Sequence, residues 1–261
     1  MQEILSMEGY WYHHPDKMPA VIRQGTQIKR QTPEPPWLIV QQSLHSVAIG
    51  SGQWPGELWC ARVIGLGDMS GLVAQPGYWR ATSIDLLEQL PLSALFGPHG
   101  SAIVALLTQI ESLSLEQVER LASFSNPEAN AAYTRAWKHW ARAGNSSHSA
   151  IHSEDLGCLL YLPDRNKKPG SPINHGFMLL YNVIWERARF LEGDRAFVIT
   201  PDGPNEGDGE PTLAPVWQKA NATFLHAAMA MGAPEHVPES DYSLLVRAWG
   251  TVFNIPGKQP G

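Results

Sequence analysis

Cysteine is scarce in this chain, with only Cys60 and Cys158 among 261 residues. The two lie far apart, in the apolar settings Leu58-Trp59-Cys60-Ala61 and Gly157-Cys158-Leu159-Leu160. That count excludes a disulfide-dense scaffold, and two buried thiols in a reducing compartment are expected. The apolar neighbours also disfavour the thiolate, so neither cysteine is expected to act as a nucleophile. Charge is sparse as well, at 17% of residues, and no Lys/Arg run is longer than a pair (Lys29-Arg30, Lys167-Lys168). Binding along DNA or RNA relies on clustered cations that displace phosphate counterions, so extended nucleic-acid binding is not expected. The apolar runs fall far short of the ~20 residues that a bilayer demands, and no membrane association is expected. Met1-Gln2-Glu3-Ile4-Leu5 carries no basic segment followed by an apolar one, so no signal peptide is expected. These absences together predict a soluble cytoplasmic protein.

Catalytic signatures are also missing. Gly65-Leu66-Gly67-Asp68 does not continue as Gly-x-Gly-x-x-Gly into a helix. The chain has no Walker A sequence, Gly-x-Ser-x-Gly elbow, Cys-x-x-Cys pair or internal repeat.

What is present is apolar mass, 43% of residues, under a net charge of −6. That is enough apolar surface to offset the entropy of ordering the chain, so it is expected to fold. Tryptophan stands out, with 10 residues against 7 each of Phe and Tyr. Its large amphipathic ring serves cores and binding surfaces alike.

The fold class expected is α+β, an N-terminal antiparallel meander or small barrel followed by a mainly helical part with a few strands. Residues 1–36 end in Thr32-Pro33-Glu34-Pro35-Pro36 and read as an arm. From Trp37 to about residue 97, short apolar runs alternate with Gly/Pro turns: Trp37–Val40, Ser46–Ile49, Leu58–Ile64 and Tyr78–Ile84. Helical periodicity then governs residues 98–144. Ser114 and Gln117 fit a capping box, and Asn126-Pro127-Glu128 combines a cap, a first-turn proline and an acid near the positive helix end. The second of these helices carries the apolar stripe Ala129, Ala132, Tyr133, Ala136, Trp137 and Trp140. Residues 144–153 read as a polar linker. A mainly helical α+β subdomain over 145–261 follows, or the whole chain is one continuous domain. Its long helix over 174–191 is expected to bury Phe177, Leu180, Tyr181, Ile184, Trp185 and Ala188.

Candidate chemistry centres on the 10 histidines. His99 and His175 each precede or open a helix, where free N–H groups could lower an imidazole's pKa or bind an anion, and they are the catalytic candidates. His148 and His152, four apart, would share one face of a helix, and with Asp155 they are the metal candidates. The three residues between the histidines are Ser149, Ala150 and Ile151, so the zincin pattern is absent. His13-His14-Pro15-Asp16 resembles a ligand pair, but neighbouring strand residues face opposite ways. The acidic loop Asp202–Glu210 fails the EF-hand pattern, with Pro204 at its third position and Leu213 at its twelfth. Trp54, Trp59 and Trp79 are the candidate binding residues.

Two functions follow from this reading. The first is a protein-interaction factor, such as an inhibitor, immunity factor or accessory subunit, that works by covering a surface of another protein. It needs no cofactor, and its oligomeric state is open. The second is a histidine-centred hydrolase assisted by a divalent metal. The hydrolase requires two histidines and a carboxylate at one cavity, whereas the binder requires an exposed aromatic or apolar patch.

Overall fold

The computed structural model describes residues 7–14, 22–32, 34–44, 47, 54–70, 77–143, 148–153, 158–163, 173–199 and 211–254. The chain divides into two compact units, Met1–Leu95 and Phe96–Gly261.

The first unit is an antiparallel barrel of β1 (Glu8–His13), β2 (Gln27–Lys29), β3 (Leu38–Gln41), β4 (Glu57–Leu66) and β5 (Tyr78–Leu90). β5 is the long wall. One of its edges pairs with β4, and the other takes β3 and then β2. β1 pairs with both β3 and β4 and closes the ring. The strands alternate inward and outward, as a half-buried sheet requires. Trp11, Val40, Trp59, Val63, Ile84 and Leu86 meet inside. A Cβ on Gly9 would collide with the Gln41 carbonyl oxygen, so the β1–β3 approach requires glycine there.

β1 and β2 overturn the expectation of an arm over 1–36. The inward set of β1 is Gly9, Trp11 and His13. Only one of those three is strongly apolar, which conceals the alternation that the strand nevertheless has.

The second unit is helical: α1 (Gly100–Glu111), α2 (Leu115–Ser123), α3 (Pro127–Arg142), α4 (Ile173–Glu192), α5 (Pro215–Gly232) and α6 (Glu239–Val252). The capping box forms, with Gln117 N–H donating to Ser114 Oγ (3.2 Å) and Ser114 N–H donating to Gln117 Oε1 (2.9 Å). Asn126 caps α3 by accepting from Glu128 N–H at 2.9 Å, and Pro127 occupies the first turn. The whole predicted stripe of α3 is buried.

α5 is the hub, packing against α1, α2, α3, α4 and α6. Residues 220–230 are buried without a break, as expected of a helix surrounded on all sides. Its alanines, among them Ala220, Ala227 and Ala228, let the neighbours approach closely. Polar ties fix the outer helices. Arg135 makes a two-point pair with the buried Asp241 carboxylate (3.0 and 2.8 Å), joining α3 to α6. Arg187 donates twice to the Leu113 carbonyl at the end of α1. The indole of Trp217 donates to Glu192 at 2.6 Å.

Two hairpins complete the unit: β6 (His148–Ser153) with β7 (Cys158–Pro163), and β8 (Phe197–Ile199) with β9 (Pro211–Leu213). β6 occupies most of the stretch expected to be a linker. Its six residues pair one for one with the apolar Cys158–Pro163, so the partner strand rather than its own composition makes it β.

Candidate binding surface

Of the catalytic and metal candidates, His99 is the one whose side-chain surroundings are described. His99 is the N-cap residue of α1, but its side chain makes no capping hydrogen bond. It lies instead 3.6 Å from Glu235 Oε2, and His236 lies 3.7 Å from the other oxygen of that carboxylate. One acid thus sits between two imidazoles in an exposed position, His99 at 42% and Glu235 at 57%. His175 is the third residue of α4. His148 and His152 are in β6, opposite Pro163 and Leu159. A strand rises about 3.3 Å per residue, which separates their backbones by roughly 13 Å and removes the helical spacing that suggested a chelate. Asp155, Pro15, Asp16 and the acidic loop 202–210 lie outside the described residues. Among the described residues, no three His, Cys, Asp or Glu side chains are gathered to hold a metal ion.

His13 ends β1 and is buried against the Trp11 ring, with centroids 4.5 Å apart. Its Nε2 lies 3.3 Å from Glu57 Oε2, the same oxygen that accepts from the Trp59 indole at 3.1 Å. Cys60 is unpaired and half-buried. Burial, followed by the charges of Glu88 and Glu8, raises its thiol pKa and keeps it protonated.

Of the candidate binding tryptophans, Trp59 belongs to the barrel core and Trp79 packs against it. Trp54 is buried, Trp59 is 2% exposed, and Trp79 is half-buried against the same core. Buried Trp54 and Trp59 offer a partner little surface, whereas large apolar side chains are exposed elsewhere.

Such a surface exists on the helical unit. α4 buries Phe177, Leu180, Ile184 and Ala188 along one side. Met178, Tyr181, Trp185 and Arg189 follow the three- and four-residue spacing of a second stripe, where every member is exposed or half-buried. The stripe is continuous. The Tyr181 and Trp185 rings are 6.0 Å apart, Trp185 and Phe197 are 4.3 Å apart, and the Arg189 guanidinium lies 5.6 Å from the Phe197 ring. β8 carries the surface onward through Ile199, which shares the Phe197 side of the strand and is 68% exposed. Phe190, 77% exposed, leaves α4 on another side, with Arg187 5.2 Å from its ring.

No match is found to a protein-family model, a curated protein or a solved structure. The reading of this surface therefore rests on its own chemistry. Tyr181 and Trp185 correct the expectation that both lie in the core of α4. Helical period alone does not say which of two apolar sides a neighbour covers. No described helix is long and apolar enough to cross a membrane.

Proposed function

We propose that the chain is a protein-interaction factor that docks another protein on the aromatic stripe of α4 and β8. The observation that carries this reading is the unbroken run Tyr181–Trp185–Phe197, flanked by Met178, Arg189 and Ile199. Tyr, Trp, Phe, Met and Arg are the residues enriched at interface centres, where large rings supply contact area at low entropic cost. Docking of this kind needs no cofactor and suits an inhibitor, immunity factor or accessory subunit. The unpaired Cys60 fits the reducing cytoplasm as its place of action.

The test is a photo-crosslinking amino acid placed at Ile199 in the expressing cell. One discrete adduct with another protein is expected, and it should fade when Trp185→Ala is added. A smear of products, or an adduct indifferent to Trp185→Ala, would remove the proposal.

A metal-assisted hydrolase has one observation in its favour, the Glu235 carboxylate between His99 and His236. Elemental analysis separates the two readings. Stoichiometric zinc that disappears in both His99→Ala and His236→Ala would replace docking with the enzyme reading.

A further inference from the structure

The helical unit also contains a second candidate site. A cavity of about 560 Å³ opens between α5, the α2–α3 corner and α6. Small-molecule sites are typically concavities of this size, mostly apolar with a few converging polar groups. Its α5 wall runs from Pro215 through Ala222 to His226 along one helical face, a rise of roughly 16 Å at about 1.5 Å per residue.

The two ends differ in chemistry. Near the start of α5, Lys219 lines the cavity, and from α6 so does Arg247, while the lining contains neither Asp nor Glu. α5 begins there without a capping side chain and without an acid in its first turn. Its leading N–H groups and positive dipole end therefore add to the charge of Lys219 there. At the other end His226 is 7% exposed, and its Nε2 has no hydrogen-bond partner. The ring rests against Tyr133, with centroids 5.0 Å apart. Burial lowers its pKa to about 4, so it is a neutral imidazole at neutral pH. A buried polar atom left unpaired is costly, and a ligand that pairs with it recovers that cost. Between the ends, Phe124, Ala222 and Leu245 supply apolar wall.

We propose that this cavity binds a slender amphiphilic organic acid, its anionic head at Lys219 and Arg247, its apolar chain along Ala222 and Leu245, and a distal hydroxyl or carbonyl toward His226. The cations set the sign of the ligand, the width of the cavity sets its shape, and His226 sets the preference at the tail. This site is independent of the docking stripe, and either can fail without the other.

Calorimetric titration of the full chain with four probes tests the proposal: decanoate, ω-hydroxydecanoate, decanol and decyltrimethylammonium. Decanoate should bind at least about 10-fold more tightly than decanol or the ammonium compound, the scale of one charge-assisted contact. The ω-hydroxy acid should bind several-fold more tightly than decanoate, and His226→Phe should abolish that preference alone. Lys219 and Arg247 are exposed at the rim, so the double variant Lys219→Ala/Arg247→Ala should retain its melting temperature while decanoate falls to the level of decanol. Ala222→Leu should weaken every probe by narrowing the channel. Equal binding of decanol and decanoate, unchanged binding in the double variant, or no binding of any probe would each overturn it.

Discussion

The barrel and the helical unit use their aromatic rings differently. In the barrel, Trp11 and Trp59 face a single interior, where two walls of strands compete for the same space. In the helical unit, one set of rings (Trp137, Trp140 and Phe177) packs in the core at centroid distances of 4.8–5.7 Å, with Phe177 edge-on to both indoles. A second set (Tyr181, Trp185 and Phe197) packs just as closely on the outside. A closed sheet has one inner face to fill, so its tryptophans are committed to stability. A long helix on the rim of a bundle has two sides, and only the side against α1 and α5 is needed for folding. Tryptophan content alone therefore says little about binding, because the architecture decides which rings remain available.

That contrast can be tested, beginning with its strongest consequence. Trp59→Ala should empty the barrel interior and cost roughly 3–5 kcal/mol in chemical denaturation. A loss no larger than that of a rim residue would refute the claim that this ring is core. Next is His226, buried without an acid, in contrast to His13 beside Glu57. In the unfolded chain His226 takes up a proton near pH 6.5, but in the folded chain only near 4. The unfolded state thus binds more protons in that window, and stability should fall as pH drops from 6.5 toward 4, by roughly 3 kcal/mol in all. His226→Leu should flatten the profile there, and a curve that keeps its slope would mean that some other group titrates.

The tie between α3 and α6 ranks third. Arg135→Ala leaves the Asp241 carboxylate buried without its two-point partner, and a loss of about 1–3 kcal/mol is expected by thermal unfolding. The smallest effect belongs to the stripe. Ile199→Ser should change stability by no more than about 0.5 kcal/mol, as is usual for an exposed position, yet reduce partner capture sharply. A large loss of stability there would place Ile199 in a core and erase the distinction between the two sets of rings.

Local rules predicted local structure well. Ser114 with Gln117, and Asn126 with Pro127, fixed two helix starts because capping depends on residues within one turn. β4 and β5 were visible as apolar runs between Gly/Pro turns. β1 is concealed by its inward set Gly9, Trp11 and His13, and β6 by a polar composition whose apolar signal comes from its partner strand. The stripe was half legible. Tyr181 and Trp185 fit the helix period, but their exposure depends on which neighbours pack against α4. The cavity left no trace in the sequence, since its walls are drawn from segments between Phe124 and Ala248 that meet only through packing. In sequence, His226 has only the apolar neighbours of an ordinary core residue, Leu225 and Ala227. Burial does hold it there, and only the unpaired nitrogen beside the cavity distinguishes it.

The position of α5 along the chain has a consequence for biosynthesis. Synthesis proceeds from the N-terminus, so α1 through α4 leave the ribosome before Pro215–Gly232 exists to be covered. Until then the apolar faces of α1, α2 and α4 lack their eventual common partner, and chains arrested before α5 should be the ones that chaperones hold and proteases clear.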